Sequence, residues 1–326
     1  MKKQFTYSKY QVSGSMIGYL FMLLVICFLF PVTCKAQQLP QYSQYMFNDF
    51  VLNPAIAGRS DYWEAKSNNR YQWAGIPDAP RTYILSMQGP LKNQHMGLGG
   101  TIYTDIVGPT RRTGINFAYA YHIKLGANYK LSFGVSGGIV QYAVDGSQIT
   151  THDAGDPIMT QNFQSVVAPD IGGGVYFYSK KLSVSLGFPQ IYQSNLKFFK
   201  DQSTNQSVLA SHFYGLVSYK FDLGTDFVLE PAVLVKYVAP VPIQIDGGVK
   251  LTYNKMIWLG ANYRSDNSTP SAVSALLGYM FKNWLMFGYS YDYSLTSIRK
   301  YNSGTHEVML GIRFQPPKKK TEEETK

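Results

Sequence analysis

The chain has 326 residues, a formal net charge of +10, 15% charged residues and 15% aromatic residues, with 26 tyrosines. This length suits one large all-β domain or two ordinary domains. Soluble domains carry about 25% charged residues. Low charge with abundant tyrosine is typical of a barrel exposed to lipid, although a tyrosine-rich soluble sandwich has a similar composition. The positive charge forms no clustered stripe, so we expect no nucleic-acid partner.

Residues 1–36 have the features of a secretory signal. Lysines come first, an apolar run follows from Ile17 to Val32, and Cys34-Lys35-Ala36 gives a small-x-small cleavage pattern before Gln37. An uncleaved anchor is the alternative, but the apolar run is short for a membrane-spanning helix. A lipoprotein site at Cys34 is a poorer match. Both cysteines of the chain lie in this segment, so we expect no disulfide in the mature protein.

Residues 37–60 form a lead-in with neither helical nor strand periodicity. Gln41–Asn48 is rich in polar and aromatic residues, Asn53-Pro54 is a turn former, and Gly58 marks a stop. Its aromatic side chains would be costly to expose, at roughly 1.5–3 kcal/mol each. We therefore predict that the lead-in packs on or inside the domain formed by residues 61–314.

Residues 61–314 alternate between apolar and polar positions in segment after segment. In Ile243–Arg264 the odd positions are mostly apolar and the even ones mostly polar or small. Side chains of a strand point alternately to opposite faces, so this period of two predicts strands. Fourteen are predicted, near 62–71, 81–90, 94–104, 112–123, 130–142, 169–179, 182–192, 212–222, 226–238, 242–253, 257–265, 271–281, 284–294 and 305–314.

The connections between these strands differ at the two ends of the sheet. Those after even strands are short, whereas several after odd strands are long, notably Gln72–Pro80, Ala143–Ala168, Gln193–Ser211 and Leu295–Gly304. Short turns at one end and long loops at the other are typical of outer-membrane barrels. The sequence thus predicts an all-β fold, a 14-stranded antiparallel transmembrane β-barrel with polar residues inward. An even strand number predicts both ends of the mature chain at the short-turn, periplasmic end.

Charged residues on the predicted inner face can pair across strands. A turn at Asn254–Met256 places Asp246 opposite Arg264, and a turn near Pro240 places Glu230 opposite Lys250. Lys236 then lies close to Asp246. We expect Glu230, Lys236, Asp246, Lys250 and Arg264 to form a wall network that supports the lead-in within the lumen and leaves little free conductance.

The end of the chain combines an amphipathic strand with a charged tail. Val308, Leu310, Ile312 and Phe314 alternate with other residues, which resembles the terminal strand recognised by outer-membrane assembly machinery. Residues 315–326 follow, with two prolines, several lysines and three glutamates. This composition predicts a disordered periplasmic tail.

Catalytic and metal motifs are weak. Gly134–Gly138 fits G-x-S-x-G, but that motif requires a strand, a sharp turn and a helix, and here it lies within a continuing strand pattern. His152–Pro157 could hold calcium, although its acidic residues match no known spacing. The five histidines are scattered. We predict no enzyme activity, no cofactor and no metal site.

The lead-in and the following loop carry a family resemblance. Gln41–Asn48 followed by Asn53–Gly58 resembles the start of the PorP/SprF family, and Arg70–Pro77 together with Ala79–Thr82 resembles its second block. Ile56 and Asp78 depart slightly from the family pattern. The residues that match its motifs are Gln41, Tyr42, Ser43, Gln44, Tyr45, Asn53, Pro54, Gly58, Gln72, Trp73 and Gly75.

The resemblance implies an outer-membrane barrel of the type IX secretion system of Bacteroidetes, which are Gram-negative bacteria. Family members serve the secretion or surface attachment of particular cargo proteins, including gliding-motility adhesins. The implied partners are outer-membrane lipid, secreted surface cargo, and other secretion or gliding components. A porin-like or fatty-acid-transporter-like channel is the alternative, and an outer-membrane enzyme is a third class.

Overall fold

The computed structural model describes residues 39–91, 95–149, 163–196, 207–266 and 269–314. Within these residues, fourteen antiparallel strands form one closed barrel. We number them strand 1 to strand 14 in chain order. They are Trp63–Tyr71, Arg81–Pro90, Met96–Val107, Thr110–Leu125, Tyr129–Asp145, Phe163–Tyr178, Leu182–Phe188, His212–Tyr219 continued by Phe221–Leu223, Phe227–Val238, Val241–Tyr253, Ile257–Asp266, Thr269–Phe281, Leu285–Ser294 and Thr305–Phe314.

The predicted number of strands and their antiparallel order are confirmed. Most boundaries differ from the prediction by only a few residues, but strands 5 and 6 are longer than expected. They remain paired as far as Asp145 and Phe163, so the connection between them is 146–162 and not 143–168. The alternation of apolar and polar residues is weak after Tyr142, so the sequence pattern does not reveal that the two strands stay paired.

Large apolar side chains point outward and polar side chains point inward, as the transmembrane barrel requires. Leu259 on the outer face is 57% exposed, whereas Asp246 on the inner face is fully buried. Aromatic pairs lie at both ends of strand 1 on the outside. Trp63 stacks on Phe314 at the short-turn end, and Tyr71 contacts the edge of Tyr83 at the long-loop end.

The barrel closes through strands 1 and 14, which pair along nine residues from Trp63 opposite Phe314 to Tyr71 opposite His306. Closure leaves no open sheet edge, which is necessary because lipid cannot satisfy unpaired backbone groups. This closing register also brings Arg70 opposite Glu307 on the inner face.

The lead-in crosses the lumen from one end of the barrel to the other. At the long-loop end, the backbone N–H of Leu39 donates to the His212 ring, 3.1 Å away, at the first residue of strand 8. Two short 3-10 turns, Asp49–Leu52 and Pro54–Ile56, follow in mid-lumen. At the short-turn end, the N–H of Gly58 donates to Gln88 near the end of strand 2.

The prediction that the mature chain begins at the short-turn end is therefore wrong. An even strand number fixes only where strands 1 and 14 end. The lead-in adds a further passage through the lumen, so Leu39 lies at the opposite end from Trp63 and Phe314.

The long-loop opening is covered in part by the connection between strands 7 and 8. A short antiparallel pairing joins Asn195–Leu196 to Ser207–Val208. Leu196 and Leu209 are buried against Ile84, Val140 and the lead-in residue Tyr42. This connection is thus part of the barrel interior as well as of the rim.

Three predicted features lie outside the described residues. They are the signal segment 1–36, the tail 315–326 and the candidate calcium loop His152–Pro157. In the part of the chain that the structure describes, no helix has the length and hydropathy needed to span a membrane.

Candidate functional site

The five predicted wall residues lie on the inner face in two groups. In the first, Asp246 binds the Arg264 Nε at 3.1 Å and the Lys236 Nζ at 2.8 Å. In the second, Lys250 Nζ lies 2.7 Å from the Glu230 carboxylate. The strand register is the one expected from the turns, with Asp246 opposite Arg264 and Glu230 opposite Lys250.

Three further charged residues extend the first group, and the sequence reasoning did not include them. Arg70 binds Asp292 at 2.8 Å and Glu307 at 3.2 Å, and Arg264 Nη1 lies 3.6 Å from Asp292. All three side chains are almost fully buried. With Lys236, Asp246 and Arg264 they form a six-residue cluster, which we call the ion cluster, with three positive and three negative charges.

Buried ion pairs contribute little net stability, because the loss of hydration offsets much of the attraction. A buried charge without a partner is far more costly, so the ion cluster strongly favours the one strand arrangement in which every charge is paired. In this barrel the lead-in supplies the remaining hydrogen-bonding groups of the cluster.

Ser43 of the lead-in lies at the centre of the ion cluster. Its hydroxyl donates to Asp292 at 2.6 Å and accepts hydrogen bonds from Arg70 and Arg264. Its backbone N–H donates to Glu307 at 2.8 Å, and its carbonyl accepts from Asn262. Every polar group of this serine is thus bound to the barrel wall.

The residues after Ser43 continue these contacts. Gln44 donates from its backbone to the Glu307 carboxylate and from its side chain to the Glu307 carbonyl. The Tyr45 hydroxyl donates to the Asp246 carbonyl at 3.4 Å. On the other side of Ser43, Gln41 bonds with Gln244. Four residues of Gln41–Asn48 therefore bind strands 1, 10, 11, 13 and 14, namely Gln41, Ser43, Gln44 and Tyr45.

An aromatic and a polar contact hold the middle of the lead-in. Phe47 packs on Trp258 with ring centroids 5.0 Å apart, and the Lys250 ammonium lies 4.9 Å from the Phe47 ring centre. Lys66 donates to the Phe47 carbonyl at 2.7 Å and pairs with Glu64. Lys250 therefore connects the second wall pair to the lead-in.

Asn53 joins the lead-in to strands 6 and 7. Its side-chain amide donates to the Val175 and Leu186 carbonyls and to the Ser185 hydroxyl, and its oxygen accepts from the N–H of Ala55. The same oxygen caps the second 3-10 turn. An asparagine at this position thus donates hydrogen bonds to the barrel wall and accepts one from the 3-10 turn.

Glycines of the wall allow the lead-in backbone to touch it. A Cβ at Gly134 would lie 2.2 Å from the Ala55 nitrogen, and one at Gly174 would lie 2.0 Å from the Asn53 side chain. No side chain fits at such distances. The G-x-S-x-G match therefore lies within strand 5, where its first glycine makes room for the lead-in and no sharp turn exposes Ser136.

The second family block joins two loops at the long-loop end. The N–H of Trp73 donates to the Thr305 hydroxyl, and Ala74 exchanges backbone hydrogen bonds with Ser303 and Gly304. Trp73 and Gly75 both have positive φ, at 50° and 98°. Gln72 donates from its backbone to Pro80. These contacts fix the loop between strands 1 and 2 against the loop before strand 14.

A cavity lies beside the lead-in. It measures about 90 Å³ and lies between the lead-in, strands 2–6 and strand 8, lined by Tyr42, Phe50, Tyr103, Asp170 and Tyr214 among others. Among the described residues, no three His, Cys, Asp or Glu side chains are grouped so that they could hold a metal ion.

The profile of one protein family, described as "Type IX secretion system membrane protein PorP/SprF", matches residues 34–312. The chain belongs to the PorP/SprF family. This PorP/SprF protein is accordingly an outer-membrane component of the type IX secretion system, a system in which such components meet both cargo and other secretion proteins. Its family and fold are those of a membrane barrel.

Solved outer-membrane proteins share low sequence identity with this PorP/SprF protein. The Ralstonia pickettii toluene transporter TbuX is 8% identical, with 82% of this chain and 92% of that chain covered and a TM-score of 0.49. Acinetobacter baumannii Omp33 is 8% identical, with 79% and 100% covered and a TM-score of 0.45. A Pseudomonas aeruginosa FadL homologue is 11% identical, with 86% and 95% covered and a TM-score of 0.44. No curated protein sequence matches the chain.

Proposed function

We propose that this PorP/SprF protein is a plugged docking barrel that supports the secretion or surface attachment of specific cargo proteins, such as gliding-motility adhesins. The observation that carries the proposal is the lead-in, which runs through the lumen from Leu39 to Gly58 and is bound to the wall at both ends. A channel needs a continuous aqueous path, and here the centre of the lumen is occupied by buried ion pairs and packed aromatic rings.

The wall and the lead-in residues Tyr42 and Phe50 together line the cavity of about 90 Å³, so this space is not a passage separate from the lead-in. The charged groups of the ion cluster are also bound to one another and to the lead-in, and are therefore not free to attract ions into a passage.

Cargo binding would use the long-loop rim, chiefly the regions 143–168 and 193–211 that the sequence singles out. Long loops on a rigid scaffold commonly carry binding sites. Exposed aromatic side chains support this location, since Tyr301 is 74% exposed and Tyr192 is 56% exposed. In outer-membrane barrels the long loops face the cell exterior, where surface cargo is held.

Site-specific cross-linking in native membranes tests the location of the cargo. Residues 37–326 contain no cysteine, so a single introduced thiol is unique in that part of the chain. We expect Tyr301→Cys to cross-link a secreted surface protein and Lys180→Cys, in the short turn between strands 6 and 7, to give no such product. Equal cross-linking of cargo at both ends would contradict rim binding.

Removing the loop between strands 5 and 6 tests whether cargo attachment requires it. Replacing residues 150–162 by a short turn leaves strands 5 and 6 intact, since these end at Asp145 and begin at Phe163. Cargo attachment should be lost while barrel assembly, measured by heat-modifiable gel mobility, is unchanged. Attachment at the normal level would exclude this loop.

Planar bilayer recordings separate the docking barrel from the alternative of a transport channel. We expect purified protein to show no large, steady conductance, because the lead-in remains bound. A stable open level in most insertions would overturn the plugged barrel and favour the channel.

A further inference from the structure

The outer face of strands 2, 3 and 4 carries an ordered series of side chains at the long-loop end. Backbone pairing places residues of the three strands side by side in rows. The rows, from the rim towards the membrane centre, are Arg81–Ile106–Arg111, Tyr83–Thr104–Thr113, Leu85–Ile102–Ile115 and Met87–Gly100–Phe117. The alternating inner residues, such as Thr82 and Arg112, are buried, so the rows face outward.

Two arginines form the first row. Arg81 and Arg111 are both exposed, and each is paired with Ile106, so their strands are about 10 Å apart. Neither makes an ion pair with a described carboxylate. The carboxylates of adjacent strand ends have other partners, since Asp105 accepts from Thr82 and Asp145 accepts from Ser147.

Hydroxyl groups form the second row. The Thr104 and Thr113 oxygens are 3.2 Å apart and hydrogen-bonded, and Tyr83 lies beside them on strand 2. Tyr83 also contacts Tyr71, its neighbour on strand 1. Aromatic rings with a polar tip are typical of the level where lipid headgroups meet the hydrocarbon.

Apolar side chains form the third and fourth rows. Leu85 is 51% exposed, Ile102 is 49% exposed and Phe117 is 67% exposed. Gly100 lies between Met87 and Phe117, which leaves a depression in the apolar surface. An acyl chain can lie in such a depression along the barrel wall.

We propose that this face, defined by Arg81, Arg111, Thr104 and Thr113, is a binding site for a phosphate-bearing glycolipid of the outer leaflet. Positive, hydroxyl and apolar groups follow one another in the order of phosphate, sugar and acyl chain in such a lipid. Arginine binds phosphate through paired N–H groups, which a lysine does not provide. The described strands carry no other outward-facing Lys or Arg at this end, so the pair is not a general feature of the rim.

Lipid binding by the isolated protein tests the site. The whole protein is placed in phosphatidylcholine nanodiscs, and native mass spectrometry measures the binding of diphosphorylated lipid A and of the same glycolipid without phosphate. We expect Arg81→Gln/Arg111→Gln to weaken binding of the phosphorylated form by about tenfold or more and to leave the other form unchanged. Thr104→Val/Thr113→Val should weaken both.

Lys124→Gln/Lys180→Gln is the matched control, because it removes the same charge from exposed positions at the short-turn end. An equal loss in this control would show a general charge effect and overturn the site, as would an unchanged arginine variant. Competition by inorganic phosphate at millimolar concentration would assign the arginines to a free anion and contradict the lipid. The assay contains no cargo, so it is independent of the docking function.

Discussion

The substitution Asp292→Asn tests whether the ion cluster holds the lead-in in place. Asp292 accepts a hydrogen bond from Ser43 at 2.6 Å and pairs with Arg70 at 2.8 Å, and Arg264 lies nearby. Asparagine has the same shape but no charge. The change therefore leaves one excess positive charge among buried groups without creating a cavity.

The expected loss of stability depends on which ion pairs Arg70 and Arg264 keep after the substitution. Removing one partner of a buried ion pair costs about 3–5 kcal/mol. Arg70 keeps Glu307 and Arg264 keeps Asp246, so we expect the free energy of unfolding to fall by about 3 kcal/mol, at the lower end of that range. The lead-in should also become easier to detach, because Ser43 loses its carboxylate acceptor.

Asp222→Asn is the matched control on an exposed pair. Asp222 lies 2.9 Å from Lys181 at the short-turn end, and both side chains are more than half exposed. The hydrogen bond with Asp222 raises the pKa of Lys181. Solvent screens such pairs strongly, so this control should leave stability almost unchanged.

Urea unfolding in lipid vesicles, followed by tryptophan fluorescence, measures stability, and limited proteolysis within residues 39–58 measures detachment. A double-mutant cycle with Ser43→Ala adds the direct test, since contacting residues couple by about 0.5–3 kcal/mol. If Asp292→Asn behaves like Asp222→Asn, or if the cycle gives no coupling, the lead-in is not held by the ion cluster.

Two further substitutions test the part of the lead-in around Asn53 and Ala55. Gly134→Val should displace the lead-in at Ala55 and make residues 39–58 sensitive to protease. Gly137→Val is the control and should cause no such sensitivity, because it lies on the outer face of the same strand with no atom within 4 Å of its Cβ. Equal protease sensitivity of the two variants would refute the contact between Gly134 and the lead-in. Asn53→Ala should lower the free energy of unfolding by about 1–3 kcal/mol, because it removes the hydrogen bonds to strands 6 and 7 and leaves the buried N–H of Ala55 without its acceptor. The exposed Asn195→Ala should have little effect, and urea unfolding that ranks the two in the opposite order would show that Asn53 is not needed.

The strands and the outer surface could be predicted from the sequence because both depend on local pattern. Alternation gives the faces of each strand, and a short turn such as Asn254–Met256 fixes the register of the two strands it joins. That is why Asp246 and Arg264 could be placed opposite each other from the sequence alone.

Contacts that depend on the closure of the barrel could not be predicted in this way. Arg70 and Glu307 are separated by most of the chain, and no turn fixes the register of strands 1 and 14. Asp292 is on the inner face by alternation, but its partners come from strands 1 and 11 and from the lead-in. The direction of the lead-in was missed for the same reason, since it depends on side-chain contacts and not on strand count.

The position of Glu307 links the closing seam of the barrel to the lead-in. It lies on the last strand and binds both Arg70 on the first strand and the backbone of Ser43 and Gln44.

A slip of two residues in strand 14 would move Glu307 by about 6.6 Å and leave its buried charge without these partners. The lead-in therefore favours the correct register of the seam, because only that register places the Glu307 carboxylate against both Arg70 and the lead-in backbone.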